Sequence, residues 1–279
     1  MGSAELAGRD DALQILGGMT AALEAGTGGA VLVSGEHGIG KTELLRAALT
    51  GPAAYDAAYD VFWAESPQAF GTMADEILAG TELSAPLAVV AEDLHRADES
   101  AVLAWYQLSR AASRLPLLLA GSLRPGSGRP DLARLRRGLM TRRGTIVELG
   151  PLDRARIEAA AQKVLGAPPG RRLAGVLDWA GGNPRYARAL AAGLAADGRI
   201  RMHDGVAELA DGPESVAARL PDAALEVAAE RLADLGPEVT QALGWAAILG
   251  TEFSATDLAV VTESPAERLM GIIGTALEA

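Results

Sequence analysis

The residues from Gly35 to Thr42 have the sequence Gly-Glu-His-Gly-Ile-Gly-Lys-Thr, which matches the pattern G-x-x-x-x-G-K-[ST]. Glycines let a backbone curl so that its N–H groups face phosphate oxygens, and a helix that starts at the loop adds its positive end. A lysine here can reach the β and γ phosphates, and the hydroxyl after it can bind Mg²⁺. The sequence therefore predicts a phosphate-binding loop, with nucleotide contacts at Gly35, Gly38, Ile39, Gly40, Lys41, Thr42 and Glu43.

Two acidic residues, Glu92 and Asp93, directly follow the apolar run 87–91. Opposite a phosphate loop, one carboxylate at such a strand end binds Mg²⁺, often through water, and the next can polarise the attacking water. The order predicts that Thr42 and Glu92 are on the metal side and that Asp93 is on the water side. The commoner pair begins with Asp, so the longer Glu92 shifts the metal or requires an intervening water.

Two later segments carry further candidates. Ser122 and Arg124 end the next apolar run, level with a γ phosphate, where either can distinguish a triphosphate from a diphosphate. The alternative for Arg124 is a solvated loop. Pro184 opens a helix and can pack on adenine, and Arg185 can reach phosphate; an ordinary helix start explains both equally well.

Short apolar runs separated by helical patterns must position these residues. The runs are 30–33, 61–63, 87–91, 115–120 and 145–147. Continuously apolar runs suit strands that are buried on both faces, and such strands alternating with helices indicate a parallel sheet. The predicted fold class is therefore α/β, a P-loop NTPase parallel sheet sandwiched by helices.

Three regions follow from changes in these patterns. Residues 1–150 form the predicted nucleotide-binding domain, and Gly150-Pro-Leu-Asp153 breaks its alternation. Residues 151–212 are predicted as an all-α lid that includes a hairpin with an Asp204-Gly205 turn. Residues 213–279 are again helical.

Composition excludes several classes of function. The chain has 279 residues and no cysteine, so thiol chemistry is excluded. Its net charge of −11 argues against direct binding to nucleic acid or anionic lipid, because both require a basic surface. The longest apolar stretch, 115–120, is far too short for a membrane helix, so no membrane partner and a cytoplasmic location are expected. The three histidines lack metal-ligand spacing, His37 is expected to be solvated, and the four tryptophans are expected in the core.

One basic cluster stands out in this acidic chain. It comprises Arg134, Arg136, Arg137, Arg142 and Arg143. A solvated helix end explains the cluster, and the alternative is an arginine finger for the nucleotide of a neighbouring subunit.

The order of these motifs resembles the STAND class of AAA-type ATPases, in particular the ATPase part of large LuxR-type (LAL) transcriptional regulators of actinobacteria. The matching segments are Leu6-Ala-Gly-Arg-Asp10, Gly35–Thr42, Glu92-Asp-Leu-His-Arg-Ala-Asp98, Arg124, Asn183-Pro184, Leu220-Pro221 and Ala247–Phe253. Arg96, Arg185 and the short interval between Lys41 and the acidic pair depart from the family pattern; the arginine after Asn-Pro is similar to a sensor arginine of other AAA-type ATPases.

The resemblance implies a function and a longer protein. It implies that Arg9 lies near the adenine, and that residues 213–279 are the first part of a winged-helix domain. It implies an ATP- and ADP-binding, Mg²⁺-dependent switch with weak ATPase activity, in which the nucleotide controls self-association. DNA would be contacted only through a helix-turn-helix domain outside these residues. Two alternatives stay open: a scaffold that holds ADP without turnover, and a replication-type AAA ATPase.

Overall fold

A computed structural model describes residues 6, 8–51, 58–80, 83, 85–125, 129–142, 144–233, 235–250 and 252–278. Ala7, Arg143 and Thr251, which belong to predicted motifs, lie outside the described residues. The chain divides into two compact units. The first comprises residues 1–124, 129–160 and 182–184, and the second comprises 125–128, 161–181 and 185–279.

A five-stranded sheet in the order β2-β3-β4-β1-β5 forms the centre of the first unit, and every neighbouring pair of strands is parallel. The strands are β1 (Gly29–Gly35), β2 (Asp60–Trp63), β3 (Leu87–Ala91), β4 (Leu117–Leu123) and β5 (Thr145–Leu149). All five predicted runs coincide with strands, although β4 begins at Leu117, two residues after the start of the run 115–120. The three central ones are buried along nearly their whole length, as continuously apolar strands should be.

Helices cover both faces of this sheet. They are α1 (Asp10–Glu24), α2 (Lys41–Thr50), α3 (Pro67–Leu78), α4 (Glu99–Ala112) and α5 (Pro130–Thr141). Alternate residues of β1 point to opposite faces: Leu32 packs in the core of α3, α4 and α5, whereas Val31 and Val33 pack in the core of α1 and α2. The predicted α/β fold class is confirmed, with a sheet sandwiched by helices and a largely helical part after it.

The remaining elements lie after residue 150. They are α6 (Arg154–Leu165), α7 (Arg171–Leu177), a 3₁₀ turn (Asp178–Ala180), α8 (Pro184–Ala196), the antiparallel strands β6 (Ile200–His203) and β7 (Val206–Leu209), α9 (Pro213–Ala218), α10 (Asp222–Ala233), α11 (Pro237–Leu249), α12 (Ala255–Thr262) and α13 (Ala266–Glu278). Asp204 and Gly205 both have positive φ angles, of 49° and 76°, as the predicted tight turn requires.

The expectation that all four tryptophans are core residues is wrong for two of them. Trp105 is fully buried in the first unit, but Trp179 is 45% exposed and Trp245 is 38% exposed. Trp179 lies in the 3₁₀ turn and Trp245 lies on α11, so an aromatic residue type alone does not decide burial. Within the described ranges, no helix is long and apolar enough to cross a membrane.

A candidate phosphate and magnesium site

The loop of residues 36–40 connects β1 to α2 at the carboxyl end of the sheet. Gly38 and Gly40 have φ angles of 75° and 105°, in a region that side chains rarely adopt, so glycine is required there. At Gly35 the constraint is space, because an added Cβ would come within 2.9 Å of Leu149 O and of Ile39 Cγ2. The predicted glycines thus let the backbone make a tight turn directly before the helix.

The Lys41 side chain folds back over this loop. Its Nζ donates hydrogen bonds to the carbonyl oxygens of Gly35 and Glu36, each at 2.8 Å, and the residue is 7% exposed. Burial lowers the pKa of Lys41 to about 8, against the opposing effect of the Asp93 carboxylate. Because an ammonium group has three donors, one of them is available for a phosphate oxygen.

A hydrogen bond joins the phosphate-loop motif to the acidic pair. The Thr42 hydroxyl donates to Glu92 Oε1, and the indole nitrogen of Trp63 donates to Glu92 Oε2 at 3.0 Å. Thr42 is the second residue of α2, which follows β1 and the loop, and Glu92 directly follows β3. Because β1 and β3 are parallel strands of one sheet, with β4 between them, their carboxyl ends lie at the same edge. A hydroxyl and a carboxylate oxygen are the ligand types that Mg²⁺ prefers.

Asp93 occupies an unusual backbone conformation beside Glu92. Its φ is 49°, and its amide donates to Ser122 Oγ at 2.9 Å, while the amide of Leu94 donates to the Ser122 carbonyl at 2.9 Å. The Asp93 side chain is 48% exposed and is therefore accessible to water. Ser122, one of two candidate sensors of phosphate, is 1% exposed and holds the acidic turn instead.

His95 is a buried polar residue that the sequence did not single out as a site. Its side chain is 6% exposed, and its Nδ1 lies 3.9 Å from Asp93 Oδ1, which is too far for a hydrogen bond. Neither ring nitrogen has a hydrogen-bond partner among the residues that the structure describes. Burial lowers the pKa of His95 to about 4, so the ring is neutral at neutral pH.

Arginine and asparagine side chains fix the far side of the loop. Arg124, which is 9% exposed, donates from Nη2 to His37 Nδ1, and Asn183 Nδ2 donates to the His37 carbonyl at 2.6 Å. His37 is thus held from two directions, contrary to the expectation that it is solvated. Asn183 is 1% exposed and belongs to the first unit, although 146 residues separate it from His37.

The remaining predicted nucleotide contacts in the first unit are Arg9, Glu43 and Pro184, and each lies in a different environment. Arg9 is 8% exposed, and its guanidinium donates to Ile39 O at 3.0 Å and to Gly150 O at 2.9 Å, so it ties the loop to the end of β5. Burial lowers the pKa of Arg9. Glu43 is exposed in the first turn of α2, and Pro184 begins α8.

Arg185 and Arg136 each have a carboxylate partner. Arg185 lies in the second unit and forms an ion pair with Glu230 at 2.6 Å. Within the basic cluster, Arg136 bonds to Glu148 at 2.6 Å and to Ser34 Oγ at 3.0 Å. Arg136 therefore has a structural role on the strand that leads to the loop.

A five-stranded parallel sheet flanked by helices, with a glycine-rich loop between β1 and α2, defines a P-loop fold. No family model matches the sequence, and comparison with curated proteins finds no match. Among solved structures, the chain is similar to a variant of RuvB from Thermotoga maritima, with 16% identity and a TM-score of 0.51, over 94% of this chain and 84% of that one. That likeness concerns the fold.

Two further structures are less similar. Domain III of the replication initiation protein DnaA from Thermotoga maritima matches 68% of this chain and 84% of its own, with 14% identity and a TM-score of 0.47. The ORC2 protein from Aeropyrum pernix, solved as ADPNP–ADP complexes, matches 68% of this chain and 63% of its own, with 13% identity and a TM-score of 0.45.

Proposed function

We propose that this chain is a nucleotide-binding ATPase that works as a slow molecular switch. The observation that carries this proposal is the hydrogen bond from the Thr42 hydroxyl to Glu92 Oε1, because it joins the two motifs that a phosphate-transfer site needs. The first motif supplies backbone N–H groups and an ammonium for phosphate, and the second supplies two carboxylates at the same sheet edge.

Phosphate binding is assigned to the loop and to Lys41. The loop amides of 36–40 and the start of α2 form an anion site, and the glycines keep side chains away from it. Lys41 is held over the loop by two carbonyl oxygens, and phosphate oxygens can replace these partners. Its charge is costly to bury alone, so a bound polyphosphate offsets that cost.

The donor set suits Mg²⁺. Thr42 and Glu92 provide two oxygen ligands, and no group of three metal-ligating side chains occurs within the described part of the chain. Mg²⁺ keeps several waters and is typically bound by one or two protein oxygens together with substrate phosphates, which fits so small a set. When bound, the ion neutralises the negative charge that develops on the phosphoryl group.

Asp93 is the residue assigned to the water that attacks the γ phosphate. Its half-exposed carboxylate can accept a hydrogen bond from that water and orient it. The backbone of Asp93 is fixed by Ser122, so the position of the carboxylate is set by β4. Arg124 contacts the loop at His37, where it can respond to the presence of the γ phosphate.

The switch would act through the segment 182–184. Asn183 bonds to the loop carbonyl of His37, and the chain continues directly from Pro184 into α8. A change in the loop on hydrolysis alters this hydrogen bond first. We further propose that the chain is the ATPase part of a LuxR-type regulator that self-associates in one nucleotide state. This more specific role rests on the order of the motifs from Arg9 to Phe253.

A scaffold that holds ADP without turnover is the second candidate, and Glu92 in place of the commoner Asp favours it. Phosphate release from Mg·ATP separates the two functions. We expect slow, continuous release by the wild type and none by Asp93→Asn. A purified protein that contains ADP and releases no phosphate from ATP would favour the scaffold. Stimulation of hydrolysis by DNA would instead favour the replication-type ATPase, against which the net charge of −11 argues.

A further inference from the structure

Trp63 ends β2 and contacts the carboxylate that the proposed function assigns to magnesium. Its indole Nε1 donates to Glu92 Oε2 at 3.0 Å, while Glu92 Oε1 accepts the hydrogen bond of the Thr42 hydroxyl. The two oxygens of one carboxylate are therefore held by two different elements, β2 and α2. From the sequence, Trp63 is predicted only as a core residue.

The indole itself is held in place from several sides. Trp63 pairs with Val90 in the parallel ladder, and the next amide, that of Ala64, donates to Val90 O at 2.9 Å. The ring packs at the edge of the core formed with α1 and α2, and the Arg46 guanidinium lies 5.6 Å from its centroid. A donor fixed in this way can orient its acceptor, because an indole N–H only donates.

Trp63 also accounts for the glutamate at position 92. An aspartate has one methylene fewer, so its carboxylate lies about 1.5 Å nearer its own backbone. The longer side chain of Glu92 lets one carboxylate contact the Thr42 hydroxyl and the indole at once. The unusual acid and the tryptophan beside it thus belong to one arrangement.

We propose that Trp63 is a positioning residue for Glu92, and that its indole N–H keeps Oε1 of the carboxylate directed at Thr42, where magnesium would bind. This inference rests on the proposed function, because that function identifies the bound ion as magnesium. Partners that orient a metal ligand typically change metal affinity by about 10- to 100-fold when they are removed.

The first experiment tests the hydrogen bond in the nucleotide-free protein. The chain has four tryptophans, so a ¹⁵N-labelled sample gives four indole N–H signals. The signal missing in Trp63→Phe identifies Trp63. In Glu92→Gln that signal should move to higher field, because a neutral amide replaces the carboxylate acceptor, while the other three stay in place. An unmoved Trp63 signal would overturn the inference.

The second experiment measures how much Mg²⁺ is needed to support ATP binding, by calorimetry at several Mg²⁺ concentrations. Trp63→Phe keeps the aromatic ring and removes the donor, so the half-saturating Mg²⁺ concentration should rise about tenfold, the lower end of such effects. Trp179→Phe is the matched control, since Trp179 is 45% exposed and lies in the second unit. It should leave the Mg²⁺ requirement unchanged.

A double variant separates positioning from general damage. If Trp63 acts through Glu92, then Trp63→Phe with Glu92→Gln should need no more Mg²⁺ than Glu92→Gln alone. Additive effects, or an unchanged Mg²⁺ requirement in Trp63→Phe, would overturn the inference and leave the proposed function standing. Absence of Mg²⁺-dependent ATP binding by the wild type would overturn both. Equal unfolding temperatures of the variants show that the fold is intact.

Discussion

The amide of Asp93 donates a hydrogen bond to Ser122 Oγ at 2.9 Å, and this contact holds Asp93 at a φ of 49°. Aspartate is among the few residues other than glycine that tolerate this left-handed conformation. The carbonyl of Ser122 also accepts the next amide, that of Leu94, at 2.9 Å. The end of β4 thus sets the direction in which the chain leaves β3, and with it the position of the Asp93 carboxylate.

Replacing Ser122 with alanine should lower turnover more than it lowers ATP affinity. The Asp93 amide loses its acceptor, which costs about 1 kcal/mol of folding stability, and the carboxylate loses its fixed position. Steady-state phosphate release and calorimetric ATP binding measure the two effects separately. Asp93→Asn is the matched variant, because asparagine tolerates the same φ but carries no charge. An alanine variant with wild-type turnover would remove Ser122 from the proposed mechanism.

The unfolding free energy should rise with pH between about 8 and 10.5 because of Lys41. Burial lowers its pKa in the folded state from the ordinary 10.5 to about 8, so the unfolded chain binds more protons in this window. Below it both states are charged, and the fold bears the full cost of the buried charge. Urea unfolding at pH 7 and pH 10 should show a smaller rise for Lys41→Met. Identical pH profiles would show that Lys41 is not buried as a charge.

Acidification should remove stability through His95. Its folded pKa is about 4, below the ordinary 6.5, chiefly because of burial and with help from Arg124 and Lys41 against the opposing Asp93 carboxylate. The unfolded state therefore binds the extra proton first, and stability falls as the pH drops from 6.5 towards 4. His95→Leu should lose less stability than the wild type between pH 7 and pH 5. It should also be stable at pH 7, because no hydrogen bond to the described residues is lost. Parallel losses in both proteins would contradict the burial of His95.

Asn183→Asp should weaken both the fold and ATP binding. The substitution keeps the size of the side chain but removes the donor that bonds to the His37 carbonyl at 2.6 Å. A carboxylate facing that carbonyl at 1% exposure should cost about 1–3 kcal/mol in unfolding free energy. ATP affinity should fall because the loop loses a fixed point. An unchanged affinity in a folded variant would separate the segment 182–184 from the nucleotide site.

The sequence predicts the sheet well, because strands buried on both faces leave continuous apolar runs such as 87–91, and five such runs fix five strands. It also places Lys41 and Thr42 at the start of the helix after β1, and Glu92 and Asp93 directly after β3. The carboxyl ends of parallel strands lie at one edge of the sheet. All four lie at that edge.

What the sequence does not predict are contacts to backbone groups and across long intervals. Arg9 bonds to carbonyl oxygens 30 and 141 residues away, and a carbonyl acceptor leaves no mark in a sequence. The hydrogen bond from Trp63 to Glu92 cannot be predicted from the sequence either. A tryptophan at a strand end can be a packing residue or a hydrogen-bond donor, and the residue type does not distinguish the two. The glycine before Asn183 is a sequence signal that this segment packs closely against another part of the chain. An added Cβ at Gly182 would come within 2.6 Å of Pro151 Cβ and of Leu152 O.

Calorimetric titration of ATP in the presence of Mg²⁺ into the wild type, Lys41→Ala and Asp93→Asn tests the site most directly. Lys41→Ala removes the ammonium that lies over the loop, whereas Asp93→Asn alters only the water side. We expect binding by the wild type and by Asp93→Asn, and a loss of at least about 100-fold in affinity for Lys41→Ala, as befits a charged contact to phosphate. Equal affinities of Lys41→Ala and the wild type would contradict the assignment of the loop 35–42 as the nucleotide site.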